Sequence, residues 1–477
     1  MRSSVNIFGA LIRLAAYHGA SALSSEMWCG KALNTDNPSA ASIPGGKLLA
    51  PRESCSTPLL DLRVYPRYSI YTTDDQVTTL VVDAERSCTH GQPIYGPGRP
   101  GSHWTTLSIQ ITSALTGNVL VPWTGITVGS KGNEFNVSMD KFDSIKVPYV
   151  IRIYGSSPNG AQVFQSTSNL NIIESRSVSG SIVRIDQIPG GGLQVLRKRK
   201  LIRHHPRDIS RNNRKTGDKG PKRVFNASVD WETVPAEIER VFHANLDWFE
   251  ESVMHPNDER SLKLIKARGF DIIHPIPNAD TYTFNATSFG MLLAEADKAG
   301  LFVVLDMRGT YQDLDLVTDQ IATVSGHPSF LLYVTADKPD GAYVPVSLTS
   351  RTYNHIKQLD PYHPIAVSLA CSNFYFKQYS AGADIILEDV STVPGNANVS
   401  INHAHSHNRL EPRDANLIPC GCVSPEVVSR AKDYLKFQEW IGLTKATLQG
   451  RGFKPIWVVS ETYDDSGDNW SPTHGLR

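Results

Sequence analysis

The sequence lacks any apolar run approaching the ~20 residues a membrane-spanning helix needs. It also lacks net charge: Lys+Arg and Asp+Glu are both 47. That balance points to no polyanionic partner, so no nucleic acid is expected. Cysteine is sparse, six in 477 residues. The even number suggests disulfides, but spacing leaves their pairing open. Cys420-Gly-Cys422 lies near His403-Ala-His-Ser-His407. Its spacing matches no standard zinc finger, so a disulfide and solvated histidines are expected there rather than a metal. No cofactor is expected either.

What is present begins with a candidate secretory signal over residues 1–22. Arg2 precedes Ile7 to Ile12 and Leu14 to Ala16, and Ala20-Ser-Ala22 offers a small-residue cleavage site. Arg13 and His18 interrupt the apolar stretch, so a short surface helix is the competing reading. Four Asn-X-Ser/Thr triplets, at Asn136, Asn226, Asn285 and Asn398, fit a secreted, glycosylated chain.

Residues 30 to about 192 carry short alternating or β-branched runs, such as Thr78 to Val82, Thr106 to Ile111 and Tyr149 to Tyr154. Turn signals separate them, among them Gly96-Pro-Gly and Ser157-Pro-Asn-Gly160. One or two β-sandwich modules are expected, with an irregular β domain as the alternative. Gly180 to Asp186, followed by Pro189-Gly-Gly-Gly192, reads as a last strand and a turn. Residues 193–240 form a basic, flexible insertion or linker, dense in Arg and Lys from Arg197 to Arg223.

From 241 onward strands and helices alternate. Strands are expected at Val241 to Asp247, Phe270 to Pro275, Leu301 to Asp306, Phe330 to Val334, Pro364 to Leu369, Asp384 to Asp389 and Pro455 to Ser460. Helices are expected between them, at Asp258 to Arg268, Thr287 to Ala299 (capped by the threonine), Asp313 to Ser325, Leu348 to Leu359 and Pro425 to Leu448. Repeated βα units imply a parallel sheet, and this many imply a TIM-type (β/α)8 barrel over 241–477. Seven strands are countable. The seventeen residues after Ser460 cannot hold another helix, strand and closing helix, so the barrel is expected to be incomplete at its C-terminus.

In such a barrel the working residues sit at the carboxyl ends of strands. Those ends read His274, Asp306 with Arg308, Asp337 with Lys338, Asn373, Glu388 with Asp389, and Glu461. Hydroxyl-rich ligands need carboxylates and amides, and sugar faces need aromatics such as Tyr311 and Trp470. The expected binding set is therefore Arg308, Tyr311, Asp340, Asn373, Asp389 and Trp470.

The cluster Ala336-Asp-Lys-Pro-Asp-Gly341 resembles the Asn/Asp-Glu-Pro signature of retaining glycoside hydrolases built on a (β/α)8 barrel. Further phrases extend the resemblance from about Gly180 to Thr473, toward a group of fungal secreted enzymes. They are Leu305-Asp-Met-Arg308, Leu359-Asp-Pro-Tyr-His-Pro364, Ala383-Asp-Ile-Ile386 and Pro455-Ile-Trp457 with Trp470. The resemblance implies a carbohydrate substrate, a general acid/base at the end of the fourth strand and a nucleophile at the seventh. Lys338 occupies the acid/base position, and Glu461 stands near the nucleophile position. An ammonium with a pKa near ~10.4 is a poor proton donor at neutral pH. Asp337 is a nearby carboxylate with a shorter reach. The expected function is glycoside hydrolysis by two carboxyl groups, impaired at Lys338. The alternatives are a carbohydrate-binding pseudoenzyme and a truncated gene product.

Overall fold

A computed structural model describes residues 27–29, 31–32, 58–95, 104–142, 148–175, 180–188, 192–197, 240–245, 249, 262–277, 283–341, 343–371, 373–390 and 456–460. The candidate signal, most of the basic stretch, the helix expected at Pro425 to Leu448, Glu461, Trp470, Asn226, Asn398 and the Cys420/His403 region lie outside the described residues.

The amino-terminal part is one sandwich of two four-stranded antiparallel sheets. One orders Val163–Leu170, Tyr149–Ser156, Thr106–Ser113 and Val119–Thr127. The other orders Gln92–Pro93, Leu59–Pro66, Val77–Ser87 and Asn133–Ser138. Period-2 patterning explains why these runs become strands. In Tyr149–Ser156 every second residue is buried, and Ile151 and Ile153 are fully so. A single apolar core joins both sheets, so the two-module alternative gives way to one sandwich. Gly155 permits their close approach: a Cβ there would lie 2.9 Å from Leu107 in its own sheet and 3.0 Å from Leu62 in the other.

The second unit is a parallel sheet of seven strands in sequence order. These are β1 (Arg240–Asn245), β2 (Phe270–Ile276), β3 (Phe302–Asp306), β4 (Phe330–Asp337), β5 (Ile365–Leu369), β6 (Ile385–Val390) and β7 (Ile456–Ser460). Between them lie α1 (Leu262–Ala267), α2 (Ala286–Ala299), α3 (Leu314–Val324), α4 (Ser347–Leu359) and the unexpected short α5 (Phe376–Ser380). Sequential parallel order with a helix between most successive strands puts the helices on one face of the sheet. Among the described residues β1 and β7 are not paired with one another, and no closed (β/α)8 barrel is seen.

Burial on both faces makes β4 and β5 read as continuous apolar runs. Ile273, Leu305, Tyr333, Val367 and Ile386 pack under the helices. Ile272, Val304, Val334, Ala366, Ile385 and Leu387 form the opposite face.

That second face is covered by a hairpin, Ser181–Ile185 with Leu193–Arg197, through Val183, Ile185, Leu193 and Val195. The basic insertion expected from 193 therefore begins with a paired strand, because Leu193 and Val195 have an apolar face to bury. The hairpin sits at the amino ends of the strands, where Val183 N donates to Tyr362 O at 2.9 Å and Ser181 Oγ donates to Phe330 O at 2.7 Å. It also ties the sheet to the sandwich. Ser69 N donates to Ile185 O at 2.9 Å, and Arg184 pairs with Asp75 beneath the Tyr68 and Tyr71 rings. Burial pushes the Tyr71 hydroxyl pKa up to about 12.

Ser181, His363 and Asp360 have the serial geometry of a hydrolytic triad. Ser181 Oγ lies 3.1 Å from His363 Nε2, and His363 Nδ1 lies 2.7 Å from Asp360 Oδ2. All three are 0% exposed, so no substrate reaches them. Tyr333 OH also donates to Asp360 at 2.7 Å. The group is a bolt holding the hairpin to β4 and β5. His363→Ala leaves a buried carboxylate and hydroxyl short of a partner and is expected to cost about 3 kcal/mol. Chemical denaturation checks this, and a loss under about 1 kcal/mol contradicts the bolt.

The α2 cap differs from expectation. Asn285, not Thr287, precedes the helix, and its Oδ1 accepts from Thr287 N at 3.0 Å and Ser288 N at 3.1 Å. The Asn285 amide oxygen, on a residue in the extended region two positions earlier, reaches both unpaired donors. Asn285→Ala is expected to lower stability by about 1 kcal/mol, read from the same denaturation curves.

Candidate functional site

Register decides which strand-end residues share the inner face. Ile272 is on that face, so His274, two residues on, has the same parity. Val304 brings Asp306 to it, opposite Val334. In β4 the register shifts between Val334 and Ala336. The shift moves Ala336 to the helix side and gives Asp337 the inner parity beside Ser368. Ile385 and Leu387 give position 389 the same parity and position 388 that of Ile386. The side chains of Glu388 and Asp389 lie outside the described residues.

Three of these residues, with Arg308, make one connected row. His274 Nε2 donates to Asp306 Oδ2 at 2.9 Å. Arg308 donates to the same oxygen from Nε at 2.9 Å and Nη2 at 2.7 Å, while its backbone N–H reaches Asp306 Oδ1 at 2.9 Å. Arg308 Nη1 then spans to Asp337 Oδ2 at 2.8 Å. The row runs from closed to open: Asp306 has a fully buried side chain, whereas Arg308 and Asp337 are about a quarter exposed. Burial alone would raise the Asp306 pKa. The Arg308 guanidinium and the His274 hydrogen bond outweigh it and hold the carboxyl well below the usual carboxylate range.

Lys338 follows Asp337 with its backbone in the left-handed region, φ 50°. Its N–H donates to Ser368 O at 3.0 Å and its carbonyl accepts from Gly341 N at 3.1 Å. These bonds fix the turn that ends β4 and hold position 338 against β5.

Two expected binding residues are placed elsewhere. Asp340 is 1% exposed. Its carboxylate accepts from Gly341 N at 3.0 Å, Ala370 N at 3.1 Å and Cys371 N at 2.7 Å, stapling the β4 loop to the end of β5. Tyr311 is 4% exposed and belongs to the core under the helices, where its carbonyl accepts from Thr352 Oγ1. Asn373 is half-buried just past β5.

A disulfide joins Cys29 to Cys371, 342 residues apart, on this same rim. Cys29 N also donates to Gly341 O at 3.1 Å. Cys88 is disulfide-bonded as well. Around the Cys371 loop three rings meet: Tyr343–Phe374 at 5.6 Å, Tyr343–Tyr375 at 5.8 Å and Phe374–Tyr375 at 4.9 Å. None of the three was expected at the site. The available signal is the aromatic run Phe374-Tyr-Phe376 directly after a strand end.

No family model matches the chain, and no curated protein matches it. Among solved structures, it is similar to a β-glucuronidase from Parabacteroides merdae at 8% identity and a TM-score of 0.31, over 85% of this chain and 40% of that one. An FMN-binding β-glucuronidase from Facaelibacterium prausnitzii matches at 11% identity and TM-score 0.27, over 69% and 43% of the two chains. A β-galacturonidase of glycoside hydrolase family 2 from Eisenbergiella tayi matches at 14% identity and TM-score 0.27, over 70% and 52%. The chain thus spans about half or less of each of these enzymes. TM-scores this low establish no shared fold, so the functional reading rests on the site residues. Among the described residues no helix is long and apolar enough to cross a membrane, and no cluster of metal-ligating side chains occurs.

Proposed function

We propose that the carboxyl-end rim of the parallel sheet binds a saccharide in a glycoside hydrolase type of site whose acid/base position has become a lysine. The row His274–Asp306–Arg308–Asp337 carries this reading. It supplies charged donors and acceptors at three successive strand ends, aimed to one side of the sheet, next to Lys338. Retaining hydrolysis needs one carboxyl group to protonate the leaving oxygen and another, ~5–5.5 Å away, to attack the anomeric carbon. Arg308 occupies an oxygen of Asp337, which suits that carboxylate to accepting a sugar hydroxyl rather than delivering a proton. Binding with little turnover is the expected behaviour of the wild-type chain, which favours the pseudoenzyme reading over an intact hydrolase.

The test compares wild type with Lys338→Glu on a broad panel of 4-nitrophenyl glycosides. Release of nitrophenol by the variant supports the reading. A folded variant silent on the whole panel overturns its hydrolytic part.

The same proposal includes secretion. Its support is the Cys29–Cys371 disulfide, which belongs to an oxidising compartment, and two exposed sequon asparagines, Asn136 and Asn285. In both, Oδ1 is the atom engaged as acceptor, from Thr79 Oγ1 and from the α2 amides.

A further inference from the structure

We propose that Tyr343, backed by Phe374 and Tyr375, is a stacking platform for one pyranose ring of the ligand, on the leaving-group side of the site. This rests on the saccharide reading above and extends it to residues that reading does not use.

Tyr343 is 42% exposed although it touches two other rings. Phe374 beneath is 7% exposed and meets Tyr375 edge-on at 89°. Tyr343 is thus a partly exposed ring resting against a buried phenylalanine and a half-buried tyrosine. Both tyrosines sit in the left-handed backbone region, at φ 51° and φ 49°. Such a conformation is unfavourable for an L residue, and it persists where the surroundings enforce it.

Those surroundings are fixed from several directions. Asp340 ties the Tyr343 loop to the Phe374 loop through Ala370 N and Cys371 N. Cys29 reaches both loops, by its disulfide to Cys371 and its N–H to Gly341 O. Val344 N donates to Pro339 O at 2.9 Å, and Tyr379 OH donates to Val344 O. A hydrogen bond with the Tyr375 side chain raises the Tyr343 pKa, consistent with two hydroxyls locked in register. A ring held this rigidly loses little entropy when a ligand covers it.

The class of ligand follows from size and neighbours. A single ring face is far below the roughly 1,000 Å² a protein partner needs. It matches one face of a β-linked pyranose, whose axial C–H groups at carbons 1, 3 and 5 form an apolar surface. Such an edge-on C–H array suits the negative face of an aromatic ring. Tyr343 lies five residues beyond Lys338 on the same loop. A group at position 338 would serve the leaving oxygen, so the ring beyond it on that loop is assigned to the departing sugar.

Saturation-transfer NMR with cellobiose, laminaribiose and lactose tests this on the full chain. Binding by wild type should show the strongest transfer at H1, H3 and H5 of one ring. Tyr343→Ala should raise Kd by about tenfold, while Tyr343→Phe stays within about twofold. Denaturation curves check that both variants remain folded, so that a change in Kd reports binding. Equal binding by wild type and Tyr343→Ala overturns the platform, as does wild-type binding of none of the three sugars. Hydrolysis by Lys338→Glu reports separately on the parent reading. If that variant is silent but Tyr343-dependent binding is seen, the platform stands as a binding site without an enzyme behind it.

Discussion

Lys338→Glu should raise turnover of an unactivated glycoside by about 10²–10⁴-fold over wild type, the usual contribution of a positioned general acid. The substitution replaces a group charged at neutral pH, and with no proton to give in the needed range, by one that can be protonated. The backbone for it already exists, since the Ser368 and Gly341 contacts that hold position 338 are made by main-chain atoms. Glutamate tolerates the φ 50° conformation about as poorly as lysine does, so stability should change little. The pH–rate profile should acquire a limb that falls as pH rises and the new carboxyl deprotonates. Denaturation curves matching wild type, with no gain on any glycoside, would count against an ancestral acid at this position.

Arg308→Met should lower stability at neutral pH by about 3–5 kcal/mol, the cost of stripping a partner from a buried charge. Asp306 is the reason: its side chain is fully buried and the Arg308 guanidinium donates two of its hydrogen bonds, while the bond from the residue 308 backbone N–H survives the substitution. In wild type its folded pKa lies below the unfolded value of ~3.9. Its stabilising contribution is therefore complete above about pH 4 and declines as pH falls toward the folded value. In the variant burial is opposed only by His274 and the residue 308 backbone N–H, and the folded pKa rises. Protonation then relieves the variant as pH falls, so the gap to wild type should narrow. Urea denaturation at pH 7 and near pH 4 reads this directly. A variant within 1 kcal/mol of wild type at pH 7 would mean that Arg308 does not hold Asp306 ionised. Loss of the Arg308–Asp337 link should also weaken saccharide binding, because Asp337 would no longer be held in place.

The alternation of strands and helices from β1 to β6 is legible in the sequence because each element solves a local problem. A strand buried on both faces must be apolar throughout, as β4 and β5 are. Helices announce themselves by caps, as α3 does at Asp313 and α2 does at its Gly300 end, φ 74°. Polar residues right after apolar runs pointed to His274, Asp306, Arg308 and Asp337, and the structure joins these four. Tyr311 and Asp340 satisfied the same rule yet are buried. Position along the chain does not say whether a residue after a strand turns toward the inner face or back under the helices. The aromatic trio carries no distinguishing signal, because rings near a strand end read equally well as core.

What the sequence determined by itself is the list of elements and the chemistry at their ends, since periodicity, capping and turn residues act over a few positions. Tertiary structure alone decided three things. It put the hairpin of Ser181–Ile185 and Leu193–Arg197 across the amino end of the sheet, bolted through His363. It joined Cys29 to Cys371 across 342 residues. And through the register shift in β4 it turned Asp337 toward Arg308. Each depends on contacts between segments far apart in the chain, where no local signal constrains the partner.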